Sequence, residues 1–409
     1  MTLRSVELFA GAGGLALGLD AAGVVHDAIV EWDHDACSTL RQNRIEKVRP
    51  ICDWPEVIEG DVRNFDFSCV SGIDLITGGP PCQPFSLGGK HRAFLDDRDM
   101  FPAAINAIRV AAPRAFIFEN VKGLTRSTFA NYLSYVLLQL EFPNLVARKA
   151  EEWLDHLARL EQHKTKGGES EYHVVHRVLD AADYGVPQRR ERVFIVGLRK
   201  DVGREFSFPK PTHSYEALLF SQWVSGEYWD INRVSKKDRP RFPEALRGKI
   251  ASLSDIYPSL LPHPWRTVRE AIADLADPEK TPPSKLPQAH VFQPGARSYV
   301  GHTGSPLDEP AKALKAGDHG VPGGENMLRR SDGGVRYFTV RESARIQTFP
   351  DSYIFIGSWT ETMRQLGNAV PVRLAACVAS AVSDKLRVNN TPPANGEGKK
   401  TAGQRRRPS

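Results

Sequence analysis

Cysteine is scarce in this sequence, which has five cysteines in 409 residues. No two of them form a Cys-x-x-Cys pair. An odd and scattered set argues against a disulfide framework and against a cysteine-based zinc site. The motifs of zinc proteases (His-Glu-x-x-His), phosphate-loop nucleotidases and serine hydrolases (Gly-x-Ser-x-Gly) are missing as well. We therefore expect none of these activities and no metal centre.

Long hydrophobic runs are also missing. No stretch reaches the roughly 18 apolar residues that a membrane-spanning helix needs. The 12-residue run Leu8–Leu19 loosely resembles a signal peptide, but it contains four glycines and follows Glu7. We therefore expect a cytoplasmic protein with reduced cysteines and without a membrane partner.

Charge of one sign is not in large excess. The chain holds 54 Lys and Arg against 49 Asp and Glu, a formal net charge of +5. Five of the basic residues and one Glu fall in the last 21 residues, so the rest of the chain is close to neutral. Net charge alone therefore does not indicate a nucleic-acid-binding protein. The polar, basic tail is predicted to be disordered.

Short apolar strands alternate with helical segments over the first 200 residues, which predicts a parallel α/β sheet. After Gly197 the chain is rich in Pro, Gly, His and Arg, which predicts a second, smaller, loop-rich domain. We place the first domain at residues 1–205 and 366–388, the second domain with its hinge at 206–365, and the disordered tail at 389–409. The predicted strands are Ser5–Phe9, Ala28–Glu31, Ile73–Thr77, Ala115–Phe118, Val174–Leu179 and Val193–Gly197, and the predicted helices are Gly14–Ala22, Asp35–Arg44, Asp99–Ala111, Thr128–Leu140 and Ala147–His163.

Several polar or glycine-rich segments follow predicted strands, at the sheet edge where open α/β sheets bind ligands. The first is FAGAGG at residues 9–14, whose glycines permit a tight turn close to a ligand, although a plain glycine-rich turn has the same pattern. Glu31 ends the next strand 18 residues after Gly13, a spacing that suits hydrogen bonds to ribose hydroxyls or simply an exposed strand end. Asp61 is placed to meet an adenine amino group or to cap a turn.

The sharpest segment is GGPPCQPFS at residues 78–86, directly after the strand Ile73–Thr77. Its prolines and glycines fix an unusual backbone around Cys82, whereas a structural cysteine normally lies among aliphatic residues in a regular element. A thiol on a rigid loop suits a nucleophile, and a structural turn is the alternative.

Two charged segments flank other predicted strands. Glu119 follows the strand Ala115–Phe118, where burial would raise the carboxyl pKa and allow proton donation. In QRRER at residues 188–192, Arg190 and Arg192 point to the same side of an extended chain, where they could bind phosphate or a base carbonyl. For both segments a solvated, salt-bridged surface position is the alternative.

Together and in this order, these segments resemble the C5-cytosine DNA methyltransferase family in its unpermuted bacterial form. The resemblance extends from Leu8 to about Lys385, and its specific parts are the Pro-Cys segment and the arginine segment. It implies a Rossmann-like S-adenosylmethionine-dependent methyltransferase sheet with a second, smaller, loop-rich target-recognition domain. The matching segments are FAGAGG, EWD, GDV, GGPPCQPFS, ENV, QRRERVFIVG, TVRESARIQTFP and QLGNAVPV.

The resemblance also implies roles for individual residues. Cys82 would be the nucleophile and Glu119 the partner of cytosine N3. Arg190 and Arg192 match the arginine motif, and Arg192 would bind the cytosine carbonyl or position the nucleophile loop. Residues 85–99 match a mobile catalytic loop. The residues implied to bind S-adenosylmethionine are Phe9, Gly11, Gly13, Glu31, Trp32, Asp61, Pro80, Met100, Asn368 and Ala369, with Glu31 at the ribose and Trp32 and Asp61 at the adenine.

The implied reaction moves a methyl group from S-adenosylmethionine to C5 of a cytosine that is flipped out of a specific short site in double-stranded DNA. It proceeds through a covalent bond between Cys82 and C6 and leaves S-adenosylhomocysteine. The implied protein is a bacterial, nucleoid-associated monomer that modifies DNA for a restriction–modification system. Side chains suited to contact base edges, each otherwise an ordinary loop residue, are Arg297, Arg329, Arg330 and Asn326.

Three other functions fit some of these segments. A tRNA cytosine methyltransferase would share the catalytic motifs, but the large second domain favours duplex DNA. A catalytically silent DNA-binding regulator would keep the scaffold, but it has no use for the intact set Cys82, Glu119 and Arg192. A nicotinamide-dependent oxidoreductase would explain the glycine loop and Glu31, but not the Pro-Pro-Cys segment.

Overall fold

The computed structural model describes residues 2–70, 72–81, 98–203, 205–256, 258–316, 324–330 and 332–388. Seven of its strands form one sheet in the order β3-β2-β1-β4-β5-β7-β6. The pairs from β3 to β5 are parallel, whereas β7 is antiparallel to both β5 and β6. These strands are β1 (Leu3–Leu8), β2 (Val24–Glu31), β3 (Ile58–Glu59), β4 (Leu75–Gly78), β5 (Ala115–Val121), β6 (Tyr172–Asp180) and β7 (Glu191–Arg199).

The parallel pairing that the sequence predicts does not extend to β7. A parallel connection needs a crossover of a dozen or more residues, usually with a helix. Only residues 181–190 connect β6 to β7, so the chain turns back and pairs the two strands as neighbours. The Rossmann-like sheet that the sequence predicts is confirmed.

Helices cover both faces of this sheet, as its strands require, because their residues are apolar on both sides. On one face, α1 and the C-terminal helix α12 (Val372–Val388) pack over Leu75, Ile117 and Val196. On the other face, α3 and α4 pack over Val6, Ile76 and Phe118. The helices between β1 and β6 are α1 (Gly14–Ala21), α2 (His34–Ile45), α3 (Phe101–Ala111), α4 (Ala130–Glu141) and α5 (Trp153–Thr165).

The predicted helix Ala147–His163 exists as α5, but it begins at Trp153. Ala150 has a left-handed backbone with φ of 61°, so the chain before Trp153 is not helical. Leu157 and Leu160 are buried against Tyr135 of α4, as their spacing on one helix face predicts.

The region after β7 consists of short elements around three small cores. One core contains Trp229 and Trp265, the second contains Ala311, Leu328 and Phe338, and the third contains Leu219, Ile250 and Leu253. β10 pairs parallel with β11 and β11 pairs antiparallel with β12, while β8 pairs with β9. These elements are β8 (His213–Ser214), α6 (Tyr215–Leu219), a π-helix (Phe220–Val224), α7 (Glu227–Ile231), α8 (Arg247–Leu253), β9 (His263–Pro264), α9 (Val268–Ile272), β10 (Ser305–Pro306), β11 (Met327–Arg329) and β12 (Val335–Tyr337).

The chain returns to the main sheet earlier than residue 366. Val340, Ala344 and Phe349 pack in one core with Ala10 and Leu40 of the first domain. We therefore propose a domain boundary near residue 338, because most of the buried apolar residues directly after it, although not Ile346, pack against the first domain. The last helices are α10 (Val340–Ile346), α11 (Trp359–Asn368) and α12 (Val372–Val388). The predicted tail, 389–409, lies outside the described residues.

One stretch of the described chain, Trp359–Val388, is long and apolar enough by composition to cross a membrane. It is divided into α11 and α12, and 61% of its most apolar window is buried in the protein. This burial is typical of a core helix pair.

Candidate active site

The predicted site residues that the structure describes gather at one edge of the main sheet. β1, β2, β4 and β5 are parallel, so their carboxyl ends meet there. β7 runs the other way and begins at the same edge. The edge therefore brings together the segments that follow Leu8, Glu31 and Gly78, together with Glu119 and Arg192.

The glycine loop after β1 has the backbone that the sequence predicts. Phe9 and Gly11 are both left-handed, with φ of 54° and 53°. A Cβ atom at Gly11 would have no neighbour within 4 Å, so open space lies in front of this residue. Gly14 has the opposite surroundings, because a Cβ atom there would lie 2.4 Å from the carbonyl oxygen of Val370. The loop thus packs tightly on one side and is open on the other.

Glu31 fixes this loop from the end of β2. Its Oε2 atom accepts a hydrogen bond of 2.6 Å from the backbone N–H of Gly11. Its Oε1 atom accepts bonds of 2.8 Å from the N–H groups of Trp32 and Asp33. Burial raises the pKa of Glu31, and these three bonds oppose that rise. The neighbouring Trp32 is 71% exposed and leaves its indole ring accessible at the lip of the edge.

The segment after α11 returns to the glycine loop. Ala369 is buried and its Cβ lies 3.4 Å from the Cβ position at Gly14, while Asn368 is exposed. Tyr353 also reaches the loop, because its hydroxyl donates a 2.5 Å bond to the carbonyl oxygen of Ala12. Tyr353 was not predicted from the sequence as a site residue. The one signal for it was its position three residues after the TVRESARIQTFP segment.

Asp61 stands after β3 as the N-cap of a short 3₁₀ turn at Val62–Asn64. Arg63 donates to both of its carboxylate oxygens, at 2.5 to 3.1 Å. This pairing lowers the pKa of Asp61. The structure therefore shows the turn cap that the sequence offered as one alternative, while the contact of Asp61 with adenine stays a prediction.

The Pro-Cys segment is described only up to Pro81, so Cys82 and residues 83–97 lie outside the described residues. The described residues that flank this gap are nevertheless held by hydrogen bonds. The side-chain amide of Asn120 donates a 2.8 Å bond to the carbonyl oxygen of Pro80. The backbone N–H of Met100 donates a 3.0 Å bond to the carbonyl oxygen of Pro81. Asn120 belongs to the ENV segment, but its role was missed because its partner is a backbone atom.

Glu119 and Arg192 form an ion pair at the centre of the edge. Arg192 Nε lies 2.9 Å from Glu119 Oε1, and both side chains are largely buried. Arg192 is opposite Val121 in the β5–β7 ladder, which makes it a diagonal neighbour of Glu119 on the same face. Burial raises the pKa of Glu119, and the charges of Arg192 and Arg190 oppose the rise. A Cβ atom at Gly79 would lie 3.4 Å from Glu119 Oε2, so this carboxyl group faces the start of the Pro-Cys segment.

Arg190 faces the same side as Arg192 but binds backbone. Its guanidinium donates 2.8 Å and 2.5 Å bonds to the carbonyl oxygens of Leu314 and Gly367. It is 1% exposed, and burial lowers its pKa well below the usual value. Arg190 thus joins three segments, namely the start of β7, the loop at Leu314 and the end of α11.

A pair of buried glutamines strengthens this junction. Gln188 accepts a 2.8 Å bond from the N–H of Leu314 and donates a 3.0 Å bond to Gln347. Gln347 donates in turn to the carbonyl oxygen of Leu366. The sequence missed both roles, although both residues lie inside matching segments.

Asn326, one of the side chains that the sequence suggested for contact with base edges, is not available for such a contact. This residue is fully buried, and its side chain bonds the N–H and the carbonyl oxygen of Lys315 at 2.9 and 2.8 Å. Arg330 pairs with Glu279 at 2.8 Å, whereas Arg297 and Arg329 are exposed.

Comparisons of this chain with known proteins point to one family. The family model described as C-5 cytosine-specific DNA methylase matches residues 3–145 and 143–384. The Type II methyltransferase M.PspPI of Psychrobacter sp. is 34% identical over 393 residues, which cover 95% of this chain and 80% of that protein. The Type II methyltransferase M.NgoMIV of Neisseria gonorrhoeae is 32% identical over 399 residues, which cover 95% of this chain and 100% of that protein.

Solved structures share the fold. A putative DNA modification methyltransferase encoded within an Escherichia coli prophage has a TM-score of 0.50 and 19% identity, covering 94% of this chain and 99% of its own. The S. pombe Dnmt2 methyltransferase has a TM-score of 0.54 and 17% identity, covering 95% of this chain and 100% of its own. At these identities the likeness concerns the fold alone. The family match, which spans nearly the whole sequence, shows that this chain belongs to the C-5 cytosine-specific DNA methylase family.

Proposed function

We propose that this enzyme methylates C5 of one cytosine in a specific short site of double-stranded DNA, as the modification enzyme of a restriction–modification system. The observation that carries the site assignment is the buried Glu119–Arg192 pair beside the backbone that leads to Cys82. Relatives over 95% of the chain are Type II methyltransferases, which supports the restriction–modification role. We further propose that the enzyme acts as a monomer in the bacterial cytoplasm.

S-adenosylmethionine is the methyl donor of this family, and the residues at the edge fit it. The open space at Gly11 gives a ligand access to the backbone, and Trp32 offers an exposed aromatic face. Glu31 and Asp61 supply carboxylates at the same edge of the sheet, at the end of β2 and just after β3, which follow β1 on one side in the strand order. Bound there, the donor supplies an electrophilic methyl group on a sulfonium. Pro80, Met100, Asn368 and Ala369 complete the proposed binding site.

Cys82 is the proposed nucleophile. Its thiolate adds to C6 of cytosine, and the electron pair of the C5–C6 bond then makes C5 able to accept the methyl group. Loss of the C5 proton to a base and expulsion of the thiolate restore the aromatic ring. The thiolate is the reactive form, and positive charge near it favours that form.

Glu119 is the proposed partner of cytosine N3. A protonated carboxyl at N3 offsets the negative charge that develops on the ring during attack at C6. The raised pKa of Glu119 supports this role, because it enlarges the protonated fraction near neutral pH. Arg192 opposes the rise while holding the carboxyl group in place, so the pair sets both the geometry and the proton affinity of the site.

Arg190 is a proposed positioning residue. Its two bonds to backbone carbonyls join β7 to the loop at Leu314 and to α11, whose last residues approach the glycine loop. Removing the guanidinium would leave two buried carbonyl groups without this donor.

The target carbon cannot be reached inside a duplex, so the cytosine must flip out, at a cost of a few kcal/mol. The region after residue 205 is proposed to recognise the surrounding sequence. Exposed Arg297 and Arg329 stay proposed contacts with base edges.

A tRNA substrate is the second candidate. The likeness to the S. pombe Dnmt2 methyltransferase supports the shared fold but does not favour RNA over DNA.

The direct test is to incubate the purified protein with S-adenosylmethionine and either bacterial duplex DNA or tRNA, and to map the methylated cytosines. We expect 5-methylcytosine at one short sequence in DNA and none in tRNA. Cys82→Ser should abolish methylation while DNA binding persists. Methylation of tRNA alone, or undiminished activity of Cys82→Ser, would contradict the proposal.

A further inference from the structure

The region after β7 carries a concentration of positive charge that the proposed chemistry does not use. Residues 231–249, here called the basic segment, contain seven Lys and Arg but two acidic residues. Within it, four exposed basic residues have no acidic partner anywhere in the described chain. These residues are Arg233, Lys236, Lys237 and Arg241.

The remaining charges of the basic segment are satisfied locally. Arg247 pairs with Glu244 at 2.6 Å, and Lys249 pairs with Glu216 at 2.6 Å. Asp238 accepts a 2.6 Å bond from Ser235 and does not pair with the lysines beside it. Like charges held close together repel one another, so an external anion would relieve the four unpaired residues.

The basic segment packs on a small aromatic core. Val234 and Trp229 pack with Trp265 in a small core that also contains Ala182. Arg239 lies over the Trp229 ring at 5.6 Å, and its Nε donates to the carbonyl oxygen of Val234. The exposed charges are therefore held by a packed unit.

This aromatic core lies against the catalytic edge of the main sheet. Ala182 and Asp183 directly follow β6, which ends at that edge, and Trp265 Nε1 donates a 2.9 Å bond to Asp183. Arg189, three residues before Arg192, lies over the Trp265 ring at 5.3 Å. A duplex bound at the catalytic edge would therefore have the basic segment beside it.

We propose that the basic segment binds the phosphate backbone of duplex DNA next to the target site and supplies affinity that is independent of sequence. The inference rests on the proposed function and names a contact surface for it. Exposed Lys and Arg side chains whose charged groups have no acidic partner suit phosphates, whereas base recognition needs donors and acceptors held in defined positions. Neutralising each phosphate releases counterions, so the contact has a measurable salt dependence.

The test measures the dissociation constant for a duplex of arbitrary sequence at several salt concentrations. Removing two contacts with Lys236→Gln/Lys237→Gln should reduce the slope of log K against log salt by about 1.8. Adding Arg233→Gln and Arg241→Gln should reduce it further, and should weaken binding at low salt by roughly tenfold or more. The kcat at saturating DNA should stay the same, because none of these residues belongs to the proposed catalytic site.

The matched control is Lys47→Gln/Lys166→Gln, which also removes two exposed lysines. Lys47 follows the end of α2 and Lys166 precedes β6, so both lie towards the opposite edge of the sheet. The control should keep the wild-type slope. An unchanged slope in the basic-segment variants, or an equal loss in the control, would overturn the inference. A wild-type protein that does not methylate DNA would instead refute the proposed function.

Discussion

Arg192 Nε lies 2.9 Å from Glu119 Oε1, and the two residues come from neighbouring antiparallel strands at the edge of the sheet. Two opposing effects therefore act on the pKa of one carboxyl group. Burial raises the pKa of Glu119, while the guanidinium charge beside it lowers it. The balance leaves a carboxyl group that takes up a proton more readily than an exposed glutamate.

Replacing Glu119 by Gln should lower the methyl-transfer rate by about 10²- to 10⁴-fold, the usual contribution of a positioned acid. The wild-type rate should contain a limb that falls as pH rises, because the protonated carboxyl is the active form, and Glu119→Gln should lack that limb. Single-turnover rates across pH measure both effects. Glu191→Gln is the control, because Glu191 pairs with Lys122 on the surface. Equal losses in both variants would argue against the role of Glu119.

Replacing Arg192 by Gln should move the falling limb of the pH–rate profile to higher pH by about one unit or more. Removing a positive charge beside a carboxyl group raises its pKa, since the ionised form loses its stabilisation. The same profile measurement reports the shift. A limb that stays in place, or that moves to lower pH, would show that the ion pair does not control the proton affinity of Glu119.

Asn120→Ala should slow methyl transfer by about tenfold or more, because it removes the hydrogen bond to the Pro80 carbonyl two residues before Cys82. It should also cost about 1–3 kcal/mol of stability, as the loss of a buried hydrogen bond does. Asn43→Ala is a matched control, since Asn43 is a buried amide that bonds the backbone of Ile354 far from Pro80. If both variants lose stability and activity in parallel, Asn120 has only a structural role.

Glu7→Gln should remove a pH dependence of folding. Glu7 is buried in β1, accepts a hydrogen bond from Thr77 Oγ1, and has a pKa raised to about 8 by burial. The folded state therefore binds this proton more tightly than the unfolded state, so stability falls as pH rises from about 4.5 to 8, by about 1.4 kcal/mol per unit. Urea unfolding at several pH values should show this decline in the wild type and a flatter profile in Glu7→Gln. Parallel profiles would contradict it.

The sequence predicts the strands and helices of the first domain, because buried strands and helices space their apolar residues in regular local patterns. It does not predict the direction of β7, which follows from the short connection at residues 181–190. Segment matching located Glu119 and Arg192, and the structure adds their pairing. Asn120, Gln188 and Tyr353 were missed because each bonds a backbone group that is distant in sequence or carries no sequence signal. The burial of Asn326 could not be predicted, because a polar residue in a loop-rich segment gives no indication of burial.

The measurement that tests the account most directly is covalent trapping on duplex DNA that contains 5-fluorocytosine at the methylated position. The fluorine cannot leave as a proton does, so the intermediate should accumulate once the methyl group has been transferred. We predict a denaturant-stable complex that requires S-adenosylmethionine, maps to Cys82 by mass spectrometry, and is absent in Cys82→Ser. The absence of any adduct with the wild-type protein, under conditions where ordinary cytosine is methylated, would contradict the covalent mechanism.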